Sequence, residues 1–527
     1  MTRVSDSAIS EALTTRTEFL RRSAAVAAGT ALLGSSAAYG GTGHTLQRAP
    51  RRGGVLRFAV GSTSVSENLD PLHSWNTNEA AYCSAIYDSL TESDANYRVK
   101  PVLAESWESN AQSTKWTFKL RPRVRFHDGE LLTARDAAFM IRRHLDPKLY
   151  SPMRGIWSAF LDRDGIRATS DRTLVLSLNR PFPNVPLLLS YYGHGVVRHG
   201  MTDLDKETNG TGPFKLDSFV AGQGWEVERN ARYWRDGLPY LNGIRGVAAT
   251  EQISKVQSLV SGDTDVTDSI DISQLKVIQG KRGVRIVPLR GGLELYLVAK
   301  TSEKPFDDPR VLKAIKFAMD RKLIERTAYQ GRGVLTSDTP QPSTDFFYPS
   351  KLGIRRRNIA RAKELLSNAG YPSGIEIELH AAPLQGGAMD FAIAFAKSVA
   401  PAGIRVSVKQ EPADTYFEKV WLQVPFYLSY QGHFHPAYRV QTSFTSGAAY
   451  PENVTPSLDG PVREAITTVD RKRQKAAWGE IHTWISNNSA YFNPAFLDMN
   501  AGIKTRVHGY LRRADYGYRW ESVYLDA

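Results

Sequence analysis

The chain has 527 residues, a formal net charge of +13 and a single cysteine, Cys83. Its length exceeds what one hydrophobic core usually holds, so two or three domains are expected, and the lone cysteine excludes an internal disulfide. The basic residues are scattered, and the sequence shows neither zinc-finger spacing nor an aromatic RNA-binding block. We therefore interpret the charge as a solvated basic surface and expect no nucleic-acid partner.

The first 38 residues have the pattern of an export signal. Arg16, Arg21 and Arg22 precede an apolar run over residues 24–33, and a small-residue cleavage pattern ends at Ala38. The run is too short to cross a bilayer as a stable helix. Thr17 stands where a twin-arginine signal has its second arginine, so the Sec and twin-arginine routes both stay open. No cysteine follows the run, which argues against a lipoprotein anchor and predicts a periplasmic protein whose residues 39–52 form a linker.

Two alternations of apolar and polar residues predict two strands near residue 120. Trp116, Phe118 and Leu120 alternate with polar residues in the first strand, and Val124 and Phe126 do so in the second. Such a period of two places the apolar side chains on one face of a half-buried strand.

A turn and a helix are predicted directly after these strands. Asp128-Gly129 is a turn signal, because glycine adopts a positive φ at no steric cost. Thr133 offers an N-cap hydroxyl, with Asp136 three residues further on, and Pro147 stops the helix.

The second half of the chain contains helix signals and a βαβ pattern. The aspartate–proline pair at 308–309 predicts an N-cap and the first residue of a helix. Apolar alternations over 375–379 and 404–408 flank a helical pattern over 389–399, which predicts two parallel strands. A long helical stretch is predicted over 462–485.

The order of these pieces resembles that in one family, the large extracytoplasmic solute-binding proteins of family 5. Members of this family feed peptide, nickel and opine ABC importers. The blocks that carry the resemblance are Gly53–Ala59, Asn68–Pro71, Pro101–Trp107, Trp116–Arg121, Val124–Gly129, Thr133–Ala137 and Asn209–Phe214.

The resemblance implies an α/β fold of the periplasmic binding protein type, class II or cluster C. Two lobes joined by a hinge, with an extra subdomain, are expected. Lobe I would comprise residues 53–90, 206–297 and 505–527, the extra subdomain residues 91–205, and lobe II residues 298–504.

In that fold the ligand lies between the lobes, and three segments of this chain would line the cleft. They supply aromatic walls with a few polar groups, which suits a small-ligand site. The expected ligand-binding residues are Trp75, Asn76 and Thr77; Tyr191 and His194; and Tyr430, Gln431, Gly432, His433 and His435.

One position departs from the peptide-binding members of the family. These members place an aspartate four residues before a proline of the cleft loop, where it pairs with the amino terminus of the peptide. Counting back four from Pro436 reaches Gly432, which has no side chain. A buried ammonium without a counter-charge is strongly disfavoured. The sequence therefore predicts a peptide-like or other small polar solute that lacks a free amino group at this position.

The function implied by the resemblance is that of a monomeric, non-enzymatic solute-binding protein without a cofactor, whose partner is an ABC permease. Two alternatives stay open. The pair His433 and His435 lies two residues apart on a predicted extended segment, a spacing that a nickel or metal-chelate site could use. An extracytoplasmic hydrolase is the other alternative, although the sequence contains no Gly-x-Ser-x-Gly, His-Glu-x-x-His or Walker motif.

Overall fold

The computed structural model describes residues 50–60, 66–74, 76–94, 97–191, 193–249, 251–413, 415–512 and 517–526. The predicted export signal and the predicted site residue Trp75 lie outside these residues. Among the helices of the described part, none has the length and apolar composition needed to cross a lipid bilayer.

The strands of the described part are numbered in chain order. They are β1 (Val55–Val60), β2 (Thr91–Ser93), β3 (Val99–Pro101), β4 (Ala104–Ser109), β5 (Lys115–Leu120), β6 (Ile166–Ser170), β7 (Thr173–Ser177), β8 (Phe214–Val220), β9 (Gly224–Arg229), β10 (Gly243–Ala248), β11 (Val266–Ile270), β12 (Val284–Ala299), β13 (Gly333–Leu335), β14 (Ile375–Ala381), β15 (Ile404–Gln410), β16 (Phe426–Gly432), β17 (Tyr491–Phe492), β18 (Ala495–Lys504), β19 (Val507–His508) and β20 (Tyr524–Leu525).

The α-helices of the described part are numbered in the same way. They are α1 (Thr77–Ile86), α2 (Ala134–His144), α3 (Arg154–Ser158), α4 (Val185–Leu188), α5 (Gln252–Ser261), α6 (Leu275–Ile278), α7 (Pro309–Ala318), α8 (Arg321–Thr327), α9 (Ile359–Asn368), α10 (Ala388–Val399), α11 (Tyr416–Lys419), α12 (Pro436–Phe444), α13 (Asp459–Thr467) and α14 (Arg471–Asn488).

Two long strands, β12 and β18, form the centre of a twelve-stranded sheet. On one side lie β11, β1, β10, β9 and β8, which we call the N-terminal half-sheet. On the other side lie β16, β14 and β15, which we call the C-terminal half-sheet; β13 and β17 pair with β18 and β12. The two half-sheets are therefore joined through β12 and β18, the arrangement of a two-lobe protein with a hinge between its lobes.

Strand β12 changes register where it passes from one half-sheet to the other. It pairs with β18 over Val284–Leu289 and resumes pairing at Leu293. Between them, Gly291 has a φ of +60°, a conformation that glycine adopts without steric cost. The Gly291 amide donates a hydrogen bond of 2.9 Å to Oδ1 of Asp498 on β18. An irregularity of this kind bends a strand, so the crossing point is a defined feature of the sheet.

The extra subdomain is built on a separate four-stranded antiparallel sheet with the order β4-β5-β7-β6. Trp116, Phe118 and Leu120 of β5 are buried in its core, as the alternation predicts. The chain enters this subdomain from α1 and leaves it towards β8, so both of its covalent connections are to the side of the N-terminal half-sheet.

Several predicted elements are confirmed. Helix α2 begins after Thr133, whose backbone amide donates to Oδ2 of Asp136 at 2.7 Å in a capping box. Helix α7 begins after Asp308, whose side chain accepts from the amide of Arg310 at 2.8 Å. Strands β14 and β15 flank α10 and pair in parallel, as the βαβ pattern predicts.

The second predicted strand of the N-terminal block is wrong. Residues 124–127 are not a strand, and Arg125 makes only an isolated bridge to Leu131. Arg123 has a φ of +62°, which turns the chain out of the extended conformation. The amide of Phe126 then bonds to the carbonyl of Glu130 at 2.8 Å, so the apolar residues point inwards from a turn.

The long helical stretch predicted over 462–485 is divided into two helices in the structure. Helix α13 ends at Thr467, and α14 begins after Asp470. The Asp470 side chain accepts from the amide of Arg473 at 2.7 Å. Local capping by this aspartate therefore interrupts a pattern that is otherwise helical throughout.

Candidate functional site

The loop that follows β16 begins at the crossing point of the large sheet. We call residues 432–436 the cleft loop. Gly432 ends β16 and pairs with Leu293, the residue at which β12 resumes its pairing with β18. Helix α12 begins at Pro436. The loop is thus held at one end by the sheet and at the other by a helix.

Three polar groups converge on His433 in this loop. Its Nε2 lies 2.9 Å from Oδ2 of Asp345, 2.8 Å from Oε1 of Gln341 and 3.1 Å from the hydroxyl of Tyr97. The Tyr97 hydroxyl also donates to Oδ2 of Asp345 at 2.7 Å. The cluster joins Tyr97, on the connection between β2 and β3, to the side of the C-terminal half-sheet.

The Asp345 carboxylate is almost completely enclosed, with 1% of its side chain exposed. Burial alone would raise the pKa of the Asp345 carboxyl, but hydrogen bonds from His433, Tyr97 and the Phe347 amide hold it below its usual value. The Phe347 amide lies 2.6 Å from Oδ1. This anion therefore has its own donors within the protein, and it does not supply an unused charge for a ligand ammonium.

His435 is a neutral N-cap of α12. Its Nδ1 accepts from the amide of Ala437 at 3.1 Å, which leaves the ring proton on Nε2. Burial lowers the pKa of His435 to about 3, so the ring is uncharged at neutral pH. The ring packs edge-on against Tyr97 and Phe347, with centroid distances of 4.9 and 4.7 Å.

Three further predicted residues lie at or beside the cleft loop. Tyr191 is buried, and its ring centroid is 6.4 Å from that of Phe434 and 6.1 Å from that of Tyr438. Tyr430 and Gln431 lie on β16 and are half-buried. The structure thus brings Tyr191 against the loop that the resemblance singles out.

The other predicted residues have local roles in the structure. His194 is fully buried, accepts at Nε2 from the indole of Trp157 at 3.0 Å, and lies outside the cleft-loop cluster. Asn76 is the N-cap of α1 and accepts from the amides of Asn78 and Glu79, both at 2.9 Å. Thr77 is the first residue of that helix.

Sequence reasoning did not find Tyr97, Gln341 and Asp345. The available signal was weak. Asp345 stands before a run of three aromatic residues, Phe346–Tyr348, where an acid beside so much apolar surface is expected to need buried partners. Tyr97 has a φ of +58°, which no sequence pattern reveals for a tyrosine.

A polar cavity lies beside Ser74 and Tyr191. Its walls include two ion pairs, one of 3.0 Å between Arg235 and Glu521, and one between Arg519 and Glu92. Both arginines of this wall are therefore neutralised by carboxylates of the same wall.

Asp88, in the wall of this cavity, is expected to make the stability of the folded chain depend on pH. It is buried, and it accepts from Trp234, Thr211 and Tyr233 at 2.8, 3.1 and 3.1 Å. Burial raises the pKa of Asp88 to about 6 against these hydrogen bonds. The folded chain therefore binds a proton that the unfolded chain has released above pH 4, and stability falls as the pH rises from 4 to 6.

The expected loss from this residue is roughly 3 kcal/mol across that window. Urea unfolding at pH 4 to 7 should show that Asp88→Asn is less sensitive to pH than the parent chain. Asp217→Asn, at an exposed site, is the matched control and should follow the parent. Parallel curves for all three chains would contradict the assignment.

One group of side chains in the described part lies within metal-binding distance, and it is not at the cleft loop. It consists of Asp70, His73 and Asp205. Asp70 already receives both terminal nitrogens of the buried Arg143, and His73 Nε2 lies 2.8 Å from the carbonyl of Leu149. These contacts favour a structural role for the group.

Comparison with known proteins decides the family. The family model for bacterial extracellular solute-binding proteins, family 5 (middle region), matches residues 98–450, which is more than half of the chain. The chain belongs to this family. The matched region of this family 5 protein begins one residue after Tyr97 and contains β3, Asp345 and the cleft loop.

Similar proteins agree with that assignment. The glutathione-binding protein GsiB of Shigella flexneri serotype 5b (strain 8401) is 25% identical over 334 residues, 61% of this chain and 62% of that protein. The chain thus matches somewhat less than two thirds of that relative's length. Among solved structures, DppA from Helicobacter pylori in complex with the peptide STSA has a TM-score of 0.78 at 22% identity, covering 90% of this chain and 99% of that one. MoaA from A. tumefaciens R10, in complex with mannopinic acid, has a TM-score of 0.75 at 23% identity, covering 90% and 100%. At these identities, the structures establish the fold.

Proposed function

We propose that this chain is the periplasmic substrate-binding subunit of an ABC importer. It binds one small polar solute between its lobes as a monomer and delivers the solute to a membrane permease. We propose the lobe boundaries given by the resemblance, with residues 53–90, 206–297 and 505–527 in lobe I, residues 91–205 in the extra subdomain and residues 298–504 in lobe II. Export by either signal route and removal of residues 1–38 belong to the same proposal.

The observation that carries the proposal is the way in which the two half-sheets meet. They share β12 and β18, and β12 is irregular at Gly291 where it crosses. The parts on either side also touch through side chains, at Tyr97 and Asp345 and at Tyr191 and Phe434. Such contacts can separate while two strands bend, which is the requirement for closing around a solute and releasing it.

The cleft loop supports a solute class without a free ammonium group at its position. Gly432 supplies no charge, and Asp345 is enclosed by donors from the protein. His435 is neutral at physiological pH. A ligand with a blocked, absent or acidic group there, such as an opine-like, sugar-acid or acylated compound, fits this chemistry better than an unmodified dipeptide.

Calorimetric titration with matched pairs of compounds tests the solute class. Each pair consists of a dipeptide and its N-acetyl form, and glutathione and mannopinic acid are titrated beside them. We expect binding of acylated or acidic compounds and weak or no binding of free-amine dipeptides. Micromolar binding of several unmodified dipeptides would overturn the solute class.

Gly432→Asp is expected to create binding of free-amine dipeptides. The new carboxylate restores the charge that the peptide-binding members of the family use, and a charge-assisted contact in a partly buried site changes affinity by roughly tenfold or more. Gly432→Asn is the control, because it has nearly the same shape without the charge. Equal affinities in the two variants would show that the charge at this position is not what selects the solute.

The two alternative functions receive less support from the structure. Asp345, Gln341 and Tyr97 all approach the same nitrogen of His433, whereas a catalytic triad uses both ring nitrogens. We therefore propose that the chain is not a hydrolase. His433 and His435 do not belong to the described group within metal-binding distance, and the metal content of the purified chain checks this point directly.

A further inference from the structure

Tyr97 lies on the short connection between β2 and β3 of the extra subdomain, in an unusual backbone conformation. Its φ of +58° lies in the left-handed region, which is costly for a bulky aromatic residue. The Tyr97 amide donates to the carbonyl of Asp94 at 2.9 Å, and the Arg98 amide donates to Oδ1 of the same residue at 3.0 Å. Asp94 thus holds the turn that projects the tyrosine.

The tyrosine projects onto the other side of the molecule. Its hydroxyl donates to Asp345 at 2.7 Å and lies 3.1 Å from His433 Nε2. Its ring packs against His435 and Phe347, with centroid distances of 4.9 and 5.9 Å. All four contacted residues belong to the part of the chain that surrounds the C-terminal half-sheet.

These contacts cannot persist if the lobes separate. The extra subdomain is covalently connected to the side of the N-terminal half-sheet at both of its ends. In the described residues, side chains join it to Asp345 and the cleft loop, and its buried core continues into residues around the C-terminal half-sheet. Tyr97 and Asp345 are 248 positions apart in sequence. Hinge opening therefore withdraws the Tyr97 hydroxyl from Asp345 and the ring from its aromatic neighbours.

We propose that Tyr97 is the latch of the closed form, a positioning residue that holds lobe II through Asp345 and fixes the orientation of His433. The proposal rests on the solute-binding function and specifies how its closed state is stabilised. A hydrogen bond to an enclosed carboxylate is stronger than one between neutral groups, so a single hydroxyl has a measurable effect on the balance of open and closed forms. The left-handed backbone is retained because the closed contacts require the side chain at that place.

The test measures the distance between the lobes directly. Ile253 on α5 and Ile393 on α10 are 60% and 57% exposed and lie on opposite sides of the crossing strands. Each is replaced by cysteine and spin-labelled. The native Cys83 is left in place, because it is buried. Double electron–electron resonance then gives the distribution of distances between the two labels in the full mature chain. It is recorded first without added solute and then with mannopinic acid or glutathione.

Tyr97→Phe retains the ring and removes the hydroxyl. We expect the ratio of short to long distances without added solute to fall roughly tenfold. The affinity for any compound that closes the parent chain should fall by a similar factor. Tyr150→Phe is the matched control, because Tyr150 also has a left-handed backbone, with φ of +48°, but is 79% exposed. It should behave as the parent.

The outcomes separate this proposal from the proposed function. Identical distance distributions in the parent, Tyr97→Phe and Tyr150→Phe overturn the latch, and so does a lower melting temperature of Tyr97→Phe with unchanged distances. If neither mannopinic acid nor glutathione shortens the distances in the parent, these two compounds are not solutes that close this chain. The comparison without solute still decides the role of Tyr97 in that case.

Discussion

Gly386→Val is expected to hold the two lobes apart and to weaken solute binding by roughly tenfold or more, because only the closed fraction binds tightly. Gly386 lies between β14 and α10, whereas Asp271 follows β11 in the other half-sheet. A carbon attached to Gly386 would lie 2.7 Å from Cγ and 3.0 Å from Cα of Asp271. Contacts this short require the two segments to move apart.

The same label distances and calorimetry measure this effect. Gly460→Val is the control, because a carbon attached to Gly460 meets nothing within 4 Å. Asp271→Ala should restore part of the closure in a Gly386→Ala background, since it removes the carboxyl group from the collision. Unchanged distances and affinity in Gly386→Val would show that this contact does not limit closure.

Arg439→Met is expected to lower the free energy of unfolding by about 3–5 kcal/mol, because it leaves a buried carboxylate without its partner. Arg439 Nε donates to Oε2 of Glu294 at 2.7 Å, and the two side chains are 1% and 0% exposed. Burial raises the pKa of Glu294 to about 7, although Arg439 opposes the rise. Removing the arginine should therefore leave a carboxyl group that ionises with difficulty, so the variant loses further stability as the pH rises through 7.

Urea unfolding at pH 6 and pH 8 measures both effects. Arg405→Met is the matched control, because Arg405 makes an exposed ion pair with Glu376 whose side chains are 56% and 78% accessible. Exposed pairs contribute roughly 0–1 kcal/mol, so this variant should unfold almost as the parent does. Replacing Arg439 and Glu294 together by apolar residues should recover much of the loss. Equal losses in Arg439→Met and Arg405→Met would contradict the assignment.

The ion pair also connects the two features on which solute binding depends. Glu294 lies on β12 shortly after the irregularity at Gly291, and Arg439 lies on α12, which continues the cleft loop. The pair thus fixes the helix behind the loop to the strand that crosses between the lobes. Variants that destabilise it should also weaken solute binding in the folded fraction.

The elements that follow from local patterns could be predicted from the sequence. The alternation in β5, the cap at Thr133 and the parallel pair β14 and β15 each depend on residues close together in the chain. The wrongly predicted elements also have local causes, but these are a backbone conformation and a helix cap, not an apolar pattern. The left-handed conformation of Arg123 turns the chain just before residues 124–127, which therefore do not form the predicted strand. Backbone conformations of this type leave little trace in apolar periodicity.

The candidate site could be predicted only in part, because its contacts join distant segments. The resemblance located the cleft loop and Tyr191, which the structure places side by side. Tyr97 and Asp345 are 248 positions apart, and neither has a motif around it. Their pairing depends on how the extra subdomain packs, which the sequence pattern does not determine.

Native mass spectrometry of the mature chain, purified gently from its host, shows whether the chain carries a solute between its lobes. We expect a population that carries one additional small molecule per chain, which is lost on unfolding and has no free amino group to place at the cleft loop. A Gly386→Val chain purified in the same way should carry much less of it, while Gly460→Val should carry as much as the parent. A chain that retains no solute, or a solute retained equally by Gly386→Val, would contradict a solute-binding protein that closes its lobes around its ligand.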